Sequence, residues 1–306
     1  MIDIVCPACH GRLLDVTEGG EQCGDCGARF PARAQVPALV SDEEWSEISA
    51  RMKDAGGETE QYLSARRSFM MSMYYDWWVE RMLAKLPGGA RGPILELMSG
   101  GAEICRRLPP EAGEAVAVDL NARFLEKADR ELRSAGNNGV KCVCGNAAKI
   151  PLPGNSVRAV MIQGGLHHAR PLLSKILAEI RRVLQPGGYL VCSEPANDCR
   201  LIRRIRRWSY SRSGHQGKDA GEDGFTREEL GGVLAAAGLT LQTYHLFGFV
   251  AYPLMGNADL LPLLSKSRSA GLGRILLATD GALSRIPIVR RMAWASIFRA
   301  IKEEMT

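Results

Sequence analysis

From Pro93 onward, short apolar runs alternate with stretches of helical period. Residues 94–97, 115–118, 139–143, 159–162 and 188–192 are short, mostly apolar runs, which predicts buried parallel strands. Helical patterns near 103–108, 121–135, 171–184 and 226–237 are interleaved with them or follow them. Such alternation predicts an α/β, doubly wound, Rossmann-like sheet whose ligand lies at the carboxyl ends of the strands. Upstream, 60–86 reads as one long helix rich in Met, Tyr and Trp, either core or a lid over a bound cofactor, with Tyr75 near its polar end a candidate cofactor contact. Thr226 and Glu229 form a capping-box pattern opening the 226–237 helix, and strands are expected at 239–247 and 294–302. The roughly 45 residues between those two strands replace what is usually a tight hairpin. This apolar insertion, 252–290, fits a lid for a hydrophobic or lipid-linked acceptor, or a homodimer face.

Length and composition change the picture in one respect. The 306 residues, 46% hydrophobic and 24% charged, suit one large domain with a small appendage rather than a disordered chain. No apolar run reaches the roughly 18–20 residues of a membrane span. The start carries Asp3 and no basic-then-apolar pattern, so no secretory signal is expected. Four of the nine cysteines fall as Cys6/Cys9 and Cys23/Cys26, and the rest are scattered. In a chain read as lacking a signal, this points to a metal site plus reduced thiols, hence a cytoplasmic protein.

The amino-terminal pattern is CxxC, thirteen residues, CxxC. Each turn aims two thiolates at one point, and four complete a tetrahedral shell that suits structural Zn2+ with no open position. Redox pairing is the alternative, and His10 is a spare surface donor. A segment this short needs the metal to fold, and its loss is expected to leave the rest of the chain mostly intact. With Phe30-Pro31 and Val36-Pro37-Ala38-Leu39 downstream, residues 3–40 resemble the zinc-ribbon family that activates tRNA and other methyltransferases. The resemblance implies a structural or interaction module.

The first predicted strand runs into Glu96-Leu97-Met98-Ser99-Gly100-Gly101-Ala102-Glu103. A pyrophosphate cradle wants bare amides and no nearby carboxylate, whereas Glu96 and Glu103 flank these glycines. The second strand ends at Asp119, placed to accept both ribose hydroxyls. Together these favour an adenosine-type cofactor without phosphate. With residues 144–157, the Gln163-Gly164-Gly165-Leu166-His167-His168 turn and the Pro186-Gly187-Gly188 turn, residues 93–240 resemble a class I S-adenosylmethionine-dependent methyltransferase of the UbiE-like, type 11/25 kind. The resemblance implies that Glu96, Met98, Ser99, Gly100 and Gly101 line the methionine part of S-adenosyl-L-methionine. It implies Asp119 on ribose, Leu120 against adenine, Asn146 and Ala147 at the adenine edge, and Gln163 near the sulfonium. Three positions depart from the family pattern: Met98 and Ala102 stand where glycine is commonest, and Asn146 where Asp is usual.

A sulfonium methyl needs an aligned nucleophile and, for a poorly acidic one, a base. His167 and His168 are the first candidates, His215 and His245 weaker ones; Glu194 orients substrate or caps the next helix. Residues 200–218 hold seven cations and no acid, within a chain of net charge +5. That run fits a solvated face, an acidic substrate, an anionic membrane surface or RNA. The domain expectation is 1–42 zinc ribbon, 43–92 linker and lid helix, and 93–306 methyltransferase. The functional expectation is methyl transfer to a small-molecule acceptor, a natural-product, glycan or lipid-linked intermediate, with no nucleic acid partner. An rRNA methyltransferase and a degenerate, non-catalytic binding protein are the alternatives.

Overall fold

The computed structural model describes residues 2–16, 19–54, 68–212, 224–256 and 267–304. Three short strands, β1 (Leu13–Asp15), β2 (Gly20–Cys23) and β3 (Arg29–Pro31), form an antiparallel sheet. β4 (Ala38–Leu39) leaves it and joins a second sheet of eight strands. Helices α1 (Asp42–Asp54) and α2 (Phe69–Leu83) follow. The upstream half of the helix expected over 60–86 falls largely outside the described residues.

The large sheet then takes β5 (Ile94–Leu97), β6 (Ala115–Asp119), β7 (Val140–Gly145), β8 (Val157–Gln163) and β9 (Leu184–Pro195). Between them lie α3 (Ala122–Ser134) and α4 (Leu173–Val183). After β9 come α5 (Arg200–Arg212), α6 (Arg227–Ala236) and β10 (Thr240–Phe247). The chain closes with α7 (Ala270–Leu283), α8 (Pro287–Arg290) and β11 (Ala295–Ile301). Strand order is β10-β11-β9-β8-β5-β6-β7-β4. Strands β4 to β9 are parallel, and β11 runs against both β9 and β10. The doubly wound expectation is met, with Thr226 capping α6 as its sequence predicts (3.1 Å from the Glu229 amide).

Alternation along the strands sorts the core into two layers, as a sheet covered on both sides requires. Ile94, Ala117, Cys142, Met161 and Ile297 face α2 and α3. Leu95, Val116, Val143, Val160 and Phe298 face α4 and α6.

The amino-terminal module is built into this second layer instead of standing apart from it. Ile2, Cys6, Cys23 and Phe30 pack in the same apolar cluster as Leu95 and Val160. β4 pairs parallel with β7, Ala38 opposite Cys144. The Cys144 amide donates to the Pro37 carbonyl (2.8 Å) and the Val5 amide to the Pro151 carbonyl (3.0 Å). A two-residue strand pairs only because an open sheet edge and a shared core receive it.

Candidate active site

The loop after β5 is held by carboxylates. Glu96 is buried; its Oε1 accepts the Ile104 amide (3.0 Å) and its Oε2 the Cys105 amide (2.7 Å). Burial pushes its carboxyl up to about 7. Both oxygens thus serve the loop's own backbone. Asp119 Oδ2 accepts the Gly100 amide and Oδ1 the Asn121 amide, both at 2.8 Å, and burial raises this carboxyl as well. The Gly100 amide, which a pyrophosphate would need, is therefore already taken. Glu103, expected to repel phosphate, is instead paired with Arg107, whose guanidinium also lies 5.6 Å from the centre of the Tyr75 ring.

The loop's winding explains two departures in the sequence. Met98, Gly100 and Ala102 have φ of 56°, 52° and 55°, the left-handed region that glycine enters freely and other residues enter at a cost of about 1–2 kcal/mol. A Cβ built on Gly165 would lie 2.8 Å from the Met98 Sδ, so the loop after β5 and the turn after β8 are in contact through that thioether.

Several features fit an adenosine-type group. Ser99 Oγ and Gln163 Nε2 are buried with no hydrogen-bond partner among the described residues. A polar atom left unpaired in the interior costs about 1–3 kcal/mol, so these atoms mark places where a ligand would bond. Leu120, next to Asp119, is 41% exposed, an apolar surface open to a base. A Cβ at Gly100 would meet nothing within 4 Å, leaving room above the loop. These residues fit S-adenosylmethionine.

Asn146 does not stand free at the adenine edge. Its Nδ2 donates to Glu44 Oε1 (2.7 Å) and its Oδ1 accepts the Ala148 amide (2.9 Å). Glu44 belongs to a capping box that opens α1: its Oε2 accepts the Ser41 amide (2.9 Å) while Ser41 Oγ accepts the Glu44 amide (3.1 Å). Burial opposes its charge, yet the bonds from Ser41 and Asn146 and the Lys149 charge hold its carboxyl below the usual range. An Asp at 146 would face Glu44 carboxylate to carboxylate, so the amide is what this neighbour requires. Ala147, beside it, is buried.

His167 and Glu194 form a pair at the ends of β8 and β9. Glu194 Oε2 lies 2.6 Å from His167 Nδ1, while Oε1 accepts the amides of Gly165 (3.0 Å) and Leu166 (2.8 Å). Burial pushes this carboxyl up, but the His167 charge and bond and the Leu166 amide pull it below its ordinary value. In the neutral imidazole the carboxylate beside Nδ1 favours the tautomer with the proton there, which leaves Nε2 as an acceptor. The His168 ring centre lies 3.8 Å from that of His167. His245 is exposed on β10 among Lys85, Arg290 and Arg299, and His215 lies outside the described residues. Sequence reasoning left Glu194 between two roles and missed Glu44; the Ser41-x-x-Glu44 spacing was the available signal.

An aromatic wall completes this edge of the sheet. Trp78 stacks on Tyr75 (5.8 Å) and meets Tyr74, Phe247 and Tyr252, and Tyr252 lies 6.2 Å from Trp294. Trp78 Nε1 donates to Ser193 Oγ (2.9 Å), which donates to the Ser296 carbonyl (3.0 Å). Tyr74 is buried, and its hydroxyl has no partner among the described residues. The described part of the 252–290 insertion packs here, with Gly256 against the Tyr74 ring and Gly273 against Met73. Its anchor is the buried Asp280 of α7, which accepts the amides of Phe249, Val250 and Ala251.

Away from this edge, the thiols of Cys6, Cys9, Cys23 and Cys26 lie within 4.8 Å of one another. Cys6 and Cys26 Sγ are 3.8 Å apart, the edge of a tetrahedron built on a Zn–S bond of about 2.3 Å. The Cys26 amide lies 3.5 Å from Cys23 Sγ and is first among the bonds that draw that thiol down to about 7. His10, at φ 63°, closes the first turn outside this group. The donor set suits a structural zinc ion.

The sequence family described as a methyltransferase domain matches residues 95–192. A demethylmenaquinone methyltransferase of Geobacillus kaustophilus is 30% identical over 121 residues, 38% of this chain and 51% of that protein. A ubiquinone/menaquinone biosynthesis C-methyltransferase of Coxiella burnetii is 31% identical over 124 residues, 39% of this chain and 48% of that protein. The chain thus spans about half the length of the curated relatives it matches. Among solved structures, one chain of the complex between the Haloferax volcanii Trm112 methyltransferase activator and a candidate methyltransferase superposes with a TM-score of 0.51. That match has 15% identity and covers 86% of this chain and 98% of that one, a likeness of fold. Among the described residues no helix is long and apolar enough to cross a membrane. With the sheet order, the carboxylate-held loop and the family match in agreement, residues 95–192 form a class I S-adenosylmethionine-dependent methyltransferase domain.

Proposed function

We propose that this chain transfers a methyl group from S-adenosylmethionine to a small, apolar acceptor, with His167 as the proton acceptor and Glu194 as the residue that orients it. The observation that carries the reading is the His167–Glu194 pair, packed through Gly165 against Met98 of the cofactor loop. When bound, the cofactor supplies an activated methyl group. The chain's own work is then to align the nucleophile, exclude water and take its proton. Glu194 fixes the imidazole tautomer, so Nε2 takes a proton from an acceptor hydroxyl and raises its nucleophilicity. Ser99 Oγ and Gln163 Nε2 bond the cofactor, and the remaining lone pairs of Asp119 receive ribose hydroxyls. Leu120 and Ala147 flank adenine. Trp77, Trp78 and Tyr252 exclude water on the acceptor side.

The names of the curated relatives favour a quinone-type or phenolic acceptor, and the aromatic wall suits such a ring. We also assign the four amino-terminal thiolates to structural zinc and the chain to a reducing compartment, as its thiols require.

S-adenosylmethionine should raise the melting temperature, and Asp119→Ala should remove that shift. With a panel of quinols and phenols and a labelled methyl donor, His167→Asn should cut kcat by a factor of about 100 or more while cofactor binding persists. Absence of any shift in the parent protein would overturn the reading.

A further inference from the structure

Helix α5 faces two ways. On its inner side Ile202 and Arg206 are buried, and Arg206 donates to the carbonyls of Ala196 (3.1 Å) and Trp294 (2.6 Å) and to Asn197 Oδ1 (3.2 Å). On its outer side Leu201, Ile205 and Trp208 recur at helical spacing and are 53%, 39% and 58% exposed. Arg200, Arg204 and Arg207 form the neighbouring row on the helix surface, all exposed. No acid lies between residues 199 and 218. An arginine-rich helix usually hides its apolar stripe and shows its charges; here, among the described side chains of α5, Ile202 and Arg206 are buried while Leu201, Ile205 and Trp208 are exposed.

A second surface of the same composition adjoins it. Ile286, Ile288 and Met292 are exposed in and around α8, Ile288 at 82%, among exposed Arg285, Arg290 and Arg291. No acid lies between Asp280 and Glu303. Arg206, on the inner side of α5, binds the Trp294 carbonyl two residues beyond Met292, so the two segments meet beside the carboxyl end of β9, the strand that carries Glu194.

We infer that α5, together with the α8 segment, is a docking surface for an anionic lipid bilayer. The pairing of exposed aliphatic and tryptophan side chains with a row of arginines matches an acyl boundary beneath a negative headgroup layer. RNA would gain from the arginines but nothing from Leu201, Ile205 and Ile288. A second copy would bring one arginine row against another, which is repulsive.

The test is cosedimentation of the full zinc-loaded chain with phosphatidylglycerol–phosphatidylcholine vesicles and with pure phosphatidylcholine vesicles. Binding to the anionic vesicles should be at least about tenfold tighter, and Arg200→Gln/Arg204→Gln/Arg207→Gln should erase about that factor. Leu201→Ser/Ile205→Ser/Trp208→Ser should also lose binding, with circular dichroism checking that the variant folds; Leu201→Ser alone should weaken binding in the same direction. Equal affinity for both vesicles, or no affinity for either, overturns the inference. So does full binding by the serine variant, displacement of vesicles by single-stranded RNA at equal charge, or a vesicle-independent dimer that buries Trp208. Vesicle binding is read without methyl transfer, so failure here leaves the proposed chemistry standing, and absence of a cofactor-induced melting shift would not touch this result.

Discussion

The sheet is extended at both ends, and the two extensions are stabilised by opposite means. At the β7 edge the amino-terminal module has almost no core of its own; it adds a two-residue strand, lends the buried side chains of Ile2, Cys6, Cys23, Phe30 and Leu39 to the layer under α4, and gathers four thiols. At the β10–β11 edge the insertion contributes helices, buries apolar and aromatic side chains against α2, and fixes its entry with one carboxylate on three consecutive amides. A short segment without enough apolar area needs a metal; a longer apolar one needs only a way to satisfy the backbone where it bends. The first is coupled to the cofactor region through Glu44 and Asn146, the second to the aromatic wall through Tyr74.

The largest break should come from the metal. Four-thiolate zinc contributes on the order of 10 kcal/mol to the folding of small modules. Since Cys6 and Cys23 share the main core, Cys6→Ser or chelation should lower the melting temperature of the entire domain and weaken cofactor binding, as read by calorimetry with and without S-adenosylmethionine. A separate early transition with cofactor binding intact would restore a detachable module. Next, Asp280→Ala strands three amides in a buried bend and should cost about 3–4 kcal/mol by urea unfolding, with the cofactor-induced melting shift retained. Loss of that shift would mean the two extensions are not independent.

Glu96, midway between them, gives a pH test. Its folded carboxyl is raised from an ordinary 4.5 to about 7, so the folded chain keeps a proton that the unfolded chain releases across that window. Its contribution to stability is full below about 4.5 and is lost as pH rises through about 7, a change of about 3 kcal/mol. Glu96→Gln has no such proton, so its stability between pH 5 and pH 8 should decline less than the parent's by about that amount. Parallel curves would refute the buried, proton-retaining carboxyl. The smallest effect belongs to Glu44→Ala, about 1–2 kcal/mol from the lost cap and the stranded Asn146 amide. It should also weaken cofactor binding several-fold by calorimetric titration; unchanged affinity would cut the link between the module and the adenine loop.

Much of this was legible in the chain because strand and loop chemistry is local. The apolar runs at 94–97 and 115–118 fall on β5 and β6, and Thr226 caps α6 as its spacing predicts. What escaped was long-range. Nothing near Glu44 names Asn146, 102 positions away, and nothing near Glu194 names His167 as its partner. The zinc pattern was readable from spacing, but its merging with the sheet was not, since a two-residue strand has no periodicity to read. Glu96 and Asp119 were placed at the cofactor loop by type, yet their first duty in the structure is to their own backbone amides, a role that spacing cannot separate from ligand binding.

Met98 and Gly165 carry one last consequence. The thioether fills the space that any side chain at 165 would occupy, while the backbone at 98 sits where glycine would be at ease. Neither position can drift alone. Shrinking 98 opens a gap between cradle and base, and enlarging 165 pushes them apart. Homologues that exchange Met for Gly at the first should therefore gain bulk at the second, a correlated pair to look for in any future alignment.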